Sequence, residues 1–439
     1  MKTYEKYKPS GFEFIGDIPE SWNTKKLKFL VSEKLKYGAN ESAELEDLDQ
    51  PRYIRITDFG EDGTLRENTF KSLPFEIAKD YFLENGDILF ARSGATVGKT
   101  FQFKNYEGLA CYAGYLIKAN PDENQITSDF LYYFTKSNSY ESWKDSIFIQ
   151  ATIQNIGADK YNTLQVPLPP IAEQTAIAEY LDEKTAEIDK LIANKGRLIE
   201  LLKEERTAII NKAVTRGINA DAKLKPSGID WLGDIPEHWE VKRLKFLTKD
   251  KLKYGANESA EQENFDHPRY IRITDFGDDG KLRNDTFKSL PFEVAEDYLL
   301  KDGDILFARS GATVGKTFQF KNYDGLACFA GYLIKASPNE EEMLSDFLYW
   351  FTKSGVYEGW KNSIFNQATI QNIGADKYSC LEIPITKIEE QKEIVEFIES
   401  KTNEIDSTIS KIEKEIELIK EYRTALISEV VTGKLKVIN

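Results

Sequence analysis

The sequence contains little of what metal centres, disulfides and membrane spans require. Its 439 residues include two histidines, His238 and His267, and three cysteines, Cys111, Cys328 and Cys380. Neither histidine lies beside a cysteine, so a zinc or iron centre has almost no available ligands. No apolar run approaches the ~20 residues of a membrane span, and the N-terminal residues do not resemble an export signal. We therefore predict a cytoplasmic protein with reduced cysteines, no bound metal and no membrane segment.

Catalytic motifs are missing as well. The chain contains no HExxH motif, no nucleophile elbow and no amino-methyltransferase motif, and the scarcity of histidine removes most acid–base schemes. The carboxylates of "ELEDLD" at Glu44 become "EQENFD" in a second copy, which favours a solvated loop over a paired-carboxylate site. A net charge of −15 argues against indiscriminate coating of nucleic acid. Lysine clusters such as "KKLKFL" and "KLKYG" either follow a nucleic-acid backbone or form a solvated strand edge.

The sequence does contain a tandem duplication of one unit. Gly38 corresponds to Gly255 and Arg92 to Arg309, always 217 positions apart, and no gap is needed. A period this long indicates duplicated domains rather than a solenoid of short repeats. Cys111 and Cys328 also correspond, which predicts small buried side chains.

Each copy has two parts of different character. The first mixes alternating strands such as "RYIRITDF" and "GDILFARS" with glycine-rich turns and a predicted helix "SDFLYYFTKSNSYESWK" from Ser128. After "PLPP" at Pro167, more than forty residues with Gly196 as their one glycine predict a long helix. We divide the chain into domains at 1–168 and 217–385 and long helices at 169–216 and 386–439.

The long helices carry a stripe that recurs at alternating steps of four and three residues. Such a heptad seam needs a partner helix, and the natural partner is the other copy. The first stripe contains Leu181, Thr185, Ile188, Ile192, Lys195, Ile199, Leu202, Arg206 and Ile209. The second contains Ile398, Thr402, Ile405, Ile409, Ile412, Ile416, Ile419, Arg423 and Leu426.

The stretch "FARSGATVGKT" begins at Phe90 and again at Phe307 and partly matches a phosphate-binding loop. That motif needs a glycine five residues before Gly98, where Ser93 stands, and a helix after the lysine. The following "FQFKNY" predicts a strand instead. An ATP-dependent enzyme built on this loop is therefore the alternative interpretation, and a structural coiled-coil adaptor is another.

Several stretches together resemble the specificity subunit of type I restriction-modification systems. They include "SGFEFIGDIPESWNTKKLKFL" and its twin "SGIDWLGDIPEHWEVKRLKFL", the "NGDILFARSGATVGKT" loop and the closing "TAIINKAVTRGI". The most specific element is the proline stop followed by Glu-Gln and a long helix, at Glu173 and Gln174 and again at Glu390 and Gln391. The resemblance covers essentially the whole chain in the expected order.

The resemblance implies an α+β fold of two tandem α/β target-recognition domains, each reading one half of a split double-stranded DNA sequence. Two long antiparallel helices forming a coiled coil would separate them, with approximate two-fold symmetry. Two methyltransferase subunits using S-adenosylmethionine for adenine-N6 methylation would dock on this scaffold, and restriction subunits would bring ATP and Mg. The chain itself would be non-catalytic and hold no cofactor.

Three stretches in each copy supply the candidate DNA-binding residues. Arginine can donate two hydrogen bonds to a guanine edge, and lysine can bind phosphates. The side-chain amides of glutamine and asparagine can form two hydrogen bonds with adenine. The first copy offers Arg55, Thr57, Arg92, Ser93, Lys99, Gln150, Thr152, Gln154 and Asn155. The second offers Arg272, Thr274, Arg309, Ser310, Lys316, Gln367, Thr369, Gln371 and Asn372. We expect Arg55 and Thr57 to share a strand face with Tyr53; the alternative for the loop is that Gly94 and Gly98 serve only a tight turn.

These stretches are repeated without change, so the two copies should read identical bases. An antiparallel helix pair would present the second domain to DNA in the opposite sense. We therefore predict two inverted copies of one short half-site around a non-specific spacer, with centres ~34–36 Å apart.

Overall fold

The computed structural model of the chain describes residues 2–42, 44–60, 63–148, 155–259, 261–277, 280–365 and 372–437. It divides into two compact units, Met1–Lys195 with Glu413–Asn439 and Gly196–Ile412. Each unit contains one copy of the globular domain and parts of both long helices. The duplication is therefore repeated in the order of structural elements.

The globular domain of the first unit is built around a four-stranded antiparallel sheet. In spatial order its strands are Lys36–Tyr37, Leu116–Ala119, Ile88–Ala91 and Thr100–Gln102. Antiparallel pairs join Tyr7–Pro9 to Asp17–Pro19 and Asn23–Lys26 to Gln165–Leu168, and a parallel pair joins Arg52–Ile54 to Ala110–Tyr112. The α-helices are Phe75–Ala78, Ser128–Phe134, Asn138–Phe148 and Ala158–Tyr161.

The second unit repeats this arrangement. Its four-stranded sheet contains Lys253–Tyr254, Leu333–Ala336, Ile305–Ala308 and Thr317–Gln319. The pairs are Leu224–Pro226 with Asp234–Pro236, Glu240–Arg243 with Glu382–Ile385, and Arg269–Ile271 with Ala327–Phe329. The α-helices are Phe292–Ala295, Ser345–Phe351, Gly355–Phe365 and Ala375–Ser379.

Both faces of the four-stranded sheet are covered. Ile88 and Phe90 point into a core shared with the helices, whereas Leu89 and Ala91 point into a second core on the opposite face. A strand buried on both sides reads as a continuous apolar run, which explains why "ILFA" shows no alternation. The predicted burial of Cys111 and Cys328 is confirmed, and both are free thiols.

The Glu-Gln pair at the start of each long helix fastens that helix to its globular domain. Glu173 Oε2 accepts a 3.1 Å hydrogen bond from Nε1 of the buried Trp22. The Gln174 amide accepts from Thr127 N at 2.8 Å and donates to Pro169 O at 2.9 Å. Because buried polar groups need partners, these residue types are required where the helix leaves the domain.

The helix predicted from Ser128 is interrupted, so that prediction was wrong in its extent. Ser128–Phe134 ends before Ser137, and Asn138–Phe148 begins after it. Ser137 Oγ donates to Phe134 O at 2.6 Å and accepts from Tyr140 N at 3.3 Å, so one hydroxyl closes the first helix and caps the second. Serine favours such local bonds over a continuous helix.

The strand predicted over "RYIRITDF" is also shorter than expected. It covers Arg52–Ile54, and Ile56–Asp58 forms a 3-10 turn. Arg55 and Thr57 therefore do not share a strand face with Tyr53, contrary to our expectation. The Asp58 carboxylate accepts from Arg55 N at 2.7 Å, which stabilises the turn in place of the strand.

The long helices extend over Ile171–Arg216 and Ile388–Val431. Every residue of the two predicted stripes is buried or partly buried, while neighbours such as Leu198 are exposed. In the first unit, Lys195 pairs with Glu415 and Asp189 with Arg423, so residue numbers rise along one helix and fall along the other. The helices therefore pack together antiparallel within this unit, and the predicted seam is confirmed.

Candidate nucleic-acid interface

The "FARSGATVGKT" stretch forms a closed loop between two strands, Ile88–Ala91 and Thr100–Gln102. Within it, Gly98 N donates to Ala91 O at 2.8 Å and Lys99 N donates to Thr96 O at 2.9 Å. A phosphate-binding loop presents such N–H groups to its ligand, whereas these are used within the loop. Gly98 has a φ of 80°, and a Cβ there would lie 2.3 Å from Lys144 Cδ, so the turn requires glycine.

Arg92 is the first side chain of this loop, and its guanidinium is held flat against the protein. The Arg92 Cζ lies 4.9 Å from the centre of the Tyr37 ring, and Nη1 donates to Gly114 O at 3.4 Å. Arg309 lies 4.9 Å from the Tyr254 ring in the second unit. A preoriented, partly exposed guanidinium can donate two parallel hydrogen bonds to a base edge or a phosphate.

The loop also meets the end of the glutamine-rich stretch. Ser93 forms a β-bridge with Asn155, and Ile156 N donates to Arg92 O at 2.9 Å. Ser310 and Asn372 form the same bridge in the second unit. The other candidates of that stretch lie outside the described residues: Gln150, Thr152, Gln154, Gln367, Thr369 and Gln371.

An aromatic side chain that sequence reasoning missed lies beside Arg92. Tyr115 is 65% exposed, and its carbonyl accepts a 3.0 Å hydrogen bond from Arg92 N. Tyr332, its counterpart, is 66% exposed. The apolar pattern "YAGYLI" around Tyr115 carries no sign of this exposure, which depends on the turn between Ala110–Tyr112 and Leu116–Ala119.

Arg55 and Arg272 are engaged within the protein. Arg55 Nη2 donates to Asp58 Oδ1 and to Thr69 O, both at 2.7 Å, and Arg272 makes the equivalent contacts. Arg272 and Tyr332 line a small cavity of about 100 Å³ together with Glu258. The structure thus brings Arg272 next to the turn that supports Arg309, although its guanidinium already has acceptors.

Thr274 and Lys316 lie elsewhere in the second unit, on the wall of a larger cavity. This cavity has a volume of about 1000 Å³ and is also lined by Lys353 and Arg206. Burial lowers the pKa of Lys353 to about 8, and the positive charges of Arg206 and Lys316 contribute. The described candidates of the second unit therefore form two groups, one around Arg309 and one in this cavity.

Within the described ranges, no cluster of three or more histidine, cysteine, aspartate or glutamate side chains could hold a metal ion. No helix in the same ranges is both long enough and apolar enough to cross a membrane.

Known proteins with similar sequences carry the same domain. A family model described as the type I restriction modification DNA specificity domain matches residues 9–201 and 236–418. The specificity subunit of the type I restriction enzyme MjaVIII from Methanocaldococcus jannaschii is 24% identical, over 97% of this chain and 92% of its own length. The EcoKI specificity subunit from Escherichia coli is 24% identical, over 80% of this chain and 75% of its own.

Solved structures share the fold. A chain from work on complex assembly and conformational transition of the type I R-M system has a TM-score of 0.74 and 14% identity, with 95% of this chain and 99% of that chain covered. The HsdS subunit from Thermoanaerobacter tengcongensis has a TM-score of 0.57 and 15% identity, with coverages of 95% and 98%. Since the family model matches both copies and well over half of the sequence, this chain belongs to the type I restriction-modification DNA specificity family.

Proposed function

We propose that this chain, a non-catalytic specificity subunit, reads a palindromic, two-part DNA target on behalf of a type I restriction-modification complex. The observation that carries the proposal is the identity of the candidate reading surfaces in the two units. "RYIRITDFG" and "GDILFARSGATVGKTFQFKNY" occur twice without a substitution, and so does "QATIQNIGADKY". Domains that read two different half-sites would be expected to differ at such positions.

The local geometry of the two surfaces supports the same conclusion. Arg92 and Arg309 each lie 4.9 Å from a tyrosine ring, and their Nη1 atoms donate to glycine carbonyls at 3.4 Å and 3.3 Å. Two guanidiniums held in the same way favour the same base-pair edge. We assign base reading to these arginines and to Ser93, Asn155, Ser310 and Asn372 around them, with Tyr115 and Tyr332 adding apolar contact.

The proposed relative orientation of the two half-sites rests on the antiparallel direction of the helices. Within each unit, the globular domain packs on the first part of the helix that follows it, and the two helices run antiparallel. We propose that the domains consequently address DNA in opposite senses, so that the half-sites are inverted. A spacing of ~34–36 Å between their centres would bring both to one face of the duplex.

Partners and cofactors follow from membership of the family. We propose that two methyltransferase subunits dock on the long helices and bind S-adenosylmethionine, and that restriction subunits supply the ATP and Mg chemistry in the cytoplasm. The division into recognition domains 1–168 and 217–385 and helices 169–216 and 386–439 belongs to this proposal. Exposed apolar side chains on the first long helix, such as Leu191 and Leu201, are available for such docking.

Selection from a random DNA library tests this function directly. The full chain, purified with its methyltransferase partner, is expected to enrich one short sequence and its inverted copy at a fixed separation. Enrichment of two unrelated half-sequences would reject identical reading by the two domains. An absence of any enrichment would favour a structural adaptor.

A further inference from the structure

The large cavity of the second unit lies where the globular domain meets the two long helices. The domain contributes Thr274, Lys316 and Lys353, and the helices contribute Arg206 and Asp406. At about 1000 Å³ it has more than enough room for a phosphate group with its sugar. We call it the helix-side cleft.

Positive charge dominates this cleft. The carboxylates of its described lining, Glu358 and Asp406, are each in an ion pair, with Lys361 at 2.5 Å and Arg206 at 3.0 Å. Among the described residues, no carboxylate lies within ion-pair distance of Lys316 or Lys353. The two ammonium groups therefore contribute charge that the described part of the protein does not neutralise.

Lys353 is held in place rather than free on the surface. Its Nζ donates to Thr317 O at 2.6 Å and lies 4.7 Å from the centre of the Tyr349 ring. Burying a charge without an opposite charge is unfavourable, so a neutral side chain would be expected here if packing were the only requirement. A ligand that carries negative charge accounts for the lysine.

The first unit repeats the buried lysine and the ion pair between the long helices. Lys136 Nζ donates to Thr100 O and lies 4.7 Å from the Tyr132 ring, and burial lowers its pKa to about 8. Arg423 pairs with Asp189 at 3.0 Å, as Arg206 pairs with Asp406. In both units the arginine near the buried lysine comes from the second half of a long helix, Arg206 beside Lys353 and Arg423 beside Lys136.

We propose that the helix-side cleft holds phosphate groups of the DNA backbone, bound by Lys316 and Lys353 in the second unit and by Lys99 and Lys136 in the first. This inference rests on the proposed DNA-reading function and extends the DNA-contacting surface to the place where the globular domain meets the long helices. A nucleotide triphosphate is the other phosphate source to consider. It is disfavoured because Gly315 N and Lys316 N donate to Ala308 O and Thr313 O within the loop.

The test uses the full chain purified with its methyltransferase partner and two pairs of substitutions. Lys136→Gln with Lys353→Gln removes one ammonium from each cleft, and Lys136→Met with Lys353→Met serves if the first pair folds poorly. The control is Lys104→Gln with Lys321→Gln. These exposed lysines pair with Asp129 and Asp346 at 2.7 Å, and their substitution changes the net charge equally.

Affinity is measured on the selected target and on random DNA at several salt concentrations. Each phosphate contact adds about 0.9 to the slope of log affinity against log salt, so the cleft variant should lose about two from that slope. Its affinity should fall by the same factor on both DNAs, since phosphate contacts carry no sequence information. The control should keep the wild-type slope.

Three results would overturn the inference. They are a cleft variant with the wild-type slope, a control that loses as much slope as the cleft variant, and heat protection of the wild type by ATP that the cleft variant lacks. A wild-type complex without sequence preference would instead remove the proposed function itself. If the wild type is sequence-specific but the cleft variant keeps the wild-type salt slope, phosphate binding by the cleft is rejected and the proposed function stands.

Discussion

Arg206 Nε lies 3.0 Å from Asp406 Oδ1, and the same pair recurs as Arg423 Nε and Asp189 Oδ1, also at 3.0 Å. The duplication places the acid of one pair 217 residues from the acid of the other, and likewise for the arginines. Both pairs join the two long helices within a unit. In each unit, an arginine on one long helix therefore pairs with an aspartate on the other, antiparallel helix.

We expect these pairs to contribute little to stability. Their side chains are between about a third and a half exposed, so water screens them, and such pairs typically contribute 0.2–1 kcal/mol. A double-mutant cycle of Arg206→Ala and Asp406→Ala, followed by urea unfolding, should give a coupling free energy below ~1 kcal/mol. A coupling of several kcal/mol would show that the pair holds the helices together.

The apolar seam should carry the stability instead. Ile199 is 7% exposed within the seam, whereas its neighbour Leu198 is 44% exposed on the same helix. Ile199→Asp should lower the free energy of unfolding by ~3 kcal/mol or more, because it buries an unpaired charge. Leu198→Asp is the matched control and should change it by less than ~0.5 kcal/mol. Equal melting temperatures for the two variants would reject the seam.

If the loop arginines read bases, their removal should lower the affinity for target DNA more than the affinity for random DNA. Arg92→Ala with Arg309→Ala should weaken binding to the target by ~1–3 kcal/mol per half-site while leaving binding to random DNA much less affected. Fluorescence anisotropy on both DNAs measures the difference. Equal losses on target and random DNA would reassign the arginines to phosphates, and unchanged binding would remove them from the interface.

If the clefts bind phosphate, the affinity for DNA should depend on pH. Lys136 and Lys353 have pKa values lowered to about 8, chiefly by burial. Both lysines lose their charge as the pH rises through 8. Bound phosphate favours the protonated form, so DNA affinity should fall between pH 7 and pH 9, with protons taken up on binding.

The groups facing each cleft lysine allow a clean control for this dependence. Lys353 faces Arg206, Lys316, Glu358 and Asp406, and Lys136 lies near Arg423, Lys99 and Glu141. Burial raises the pKa of the Cys111 and Cys328 thiols to about 12, so neither titrates here. Lys136→Arg with Lys353→Arg keeps the charge and should flatten the profile. An unchanged profile in that variant would assign the dependence to another group.

Much of the fold could be read from the sequence because its signals are long. A stripe of nine positions, such as that from Leu181 to Ile209, fixes a helix face, and 217-residue self-similarity fixes the duplication. Short signals were less informative. "SDFLYYFTKSNSYESWK" has helical periodicity throughout, yet one hydroxyl of Ser137 ends one helix and starts the next.

The candidate interface was harder to predict because contacts between distant segments decide it. The residue type of Arg55 suggested base reading, but the sequence could not show that Asp58 and Thr69 already accept from its guanidinium. Exposure of Tyr115 depends on a turn, and the charge in the helix-side cleft depends on Lys353 meeting Arg206 from another part of the chain. The spacing of residues along the sequence does not reveal which distant segments come into contact.

Mapping of modified adenines in host DNA by long-read sequencing tests the central claim most directly, because it reports the target of the intact complex. Identical candidate reading stretches in the two domains, together with antiparallel helices, predict one short half-site and its inverted copy, separated by a fixed non-specific spacer. A host in which the gene for this chain is deleted should lose that methylation. Two different half-sequences, or one half-sequence arranged as a direct repeat, would contradict the account.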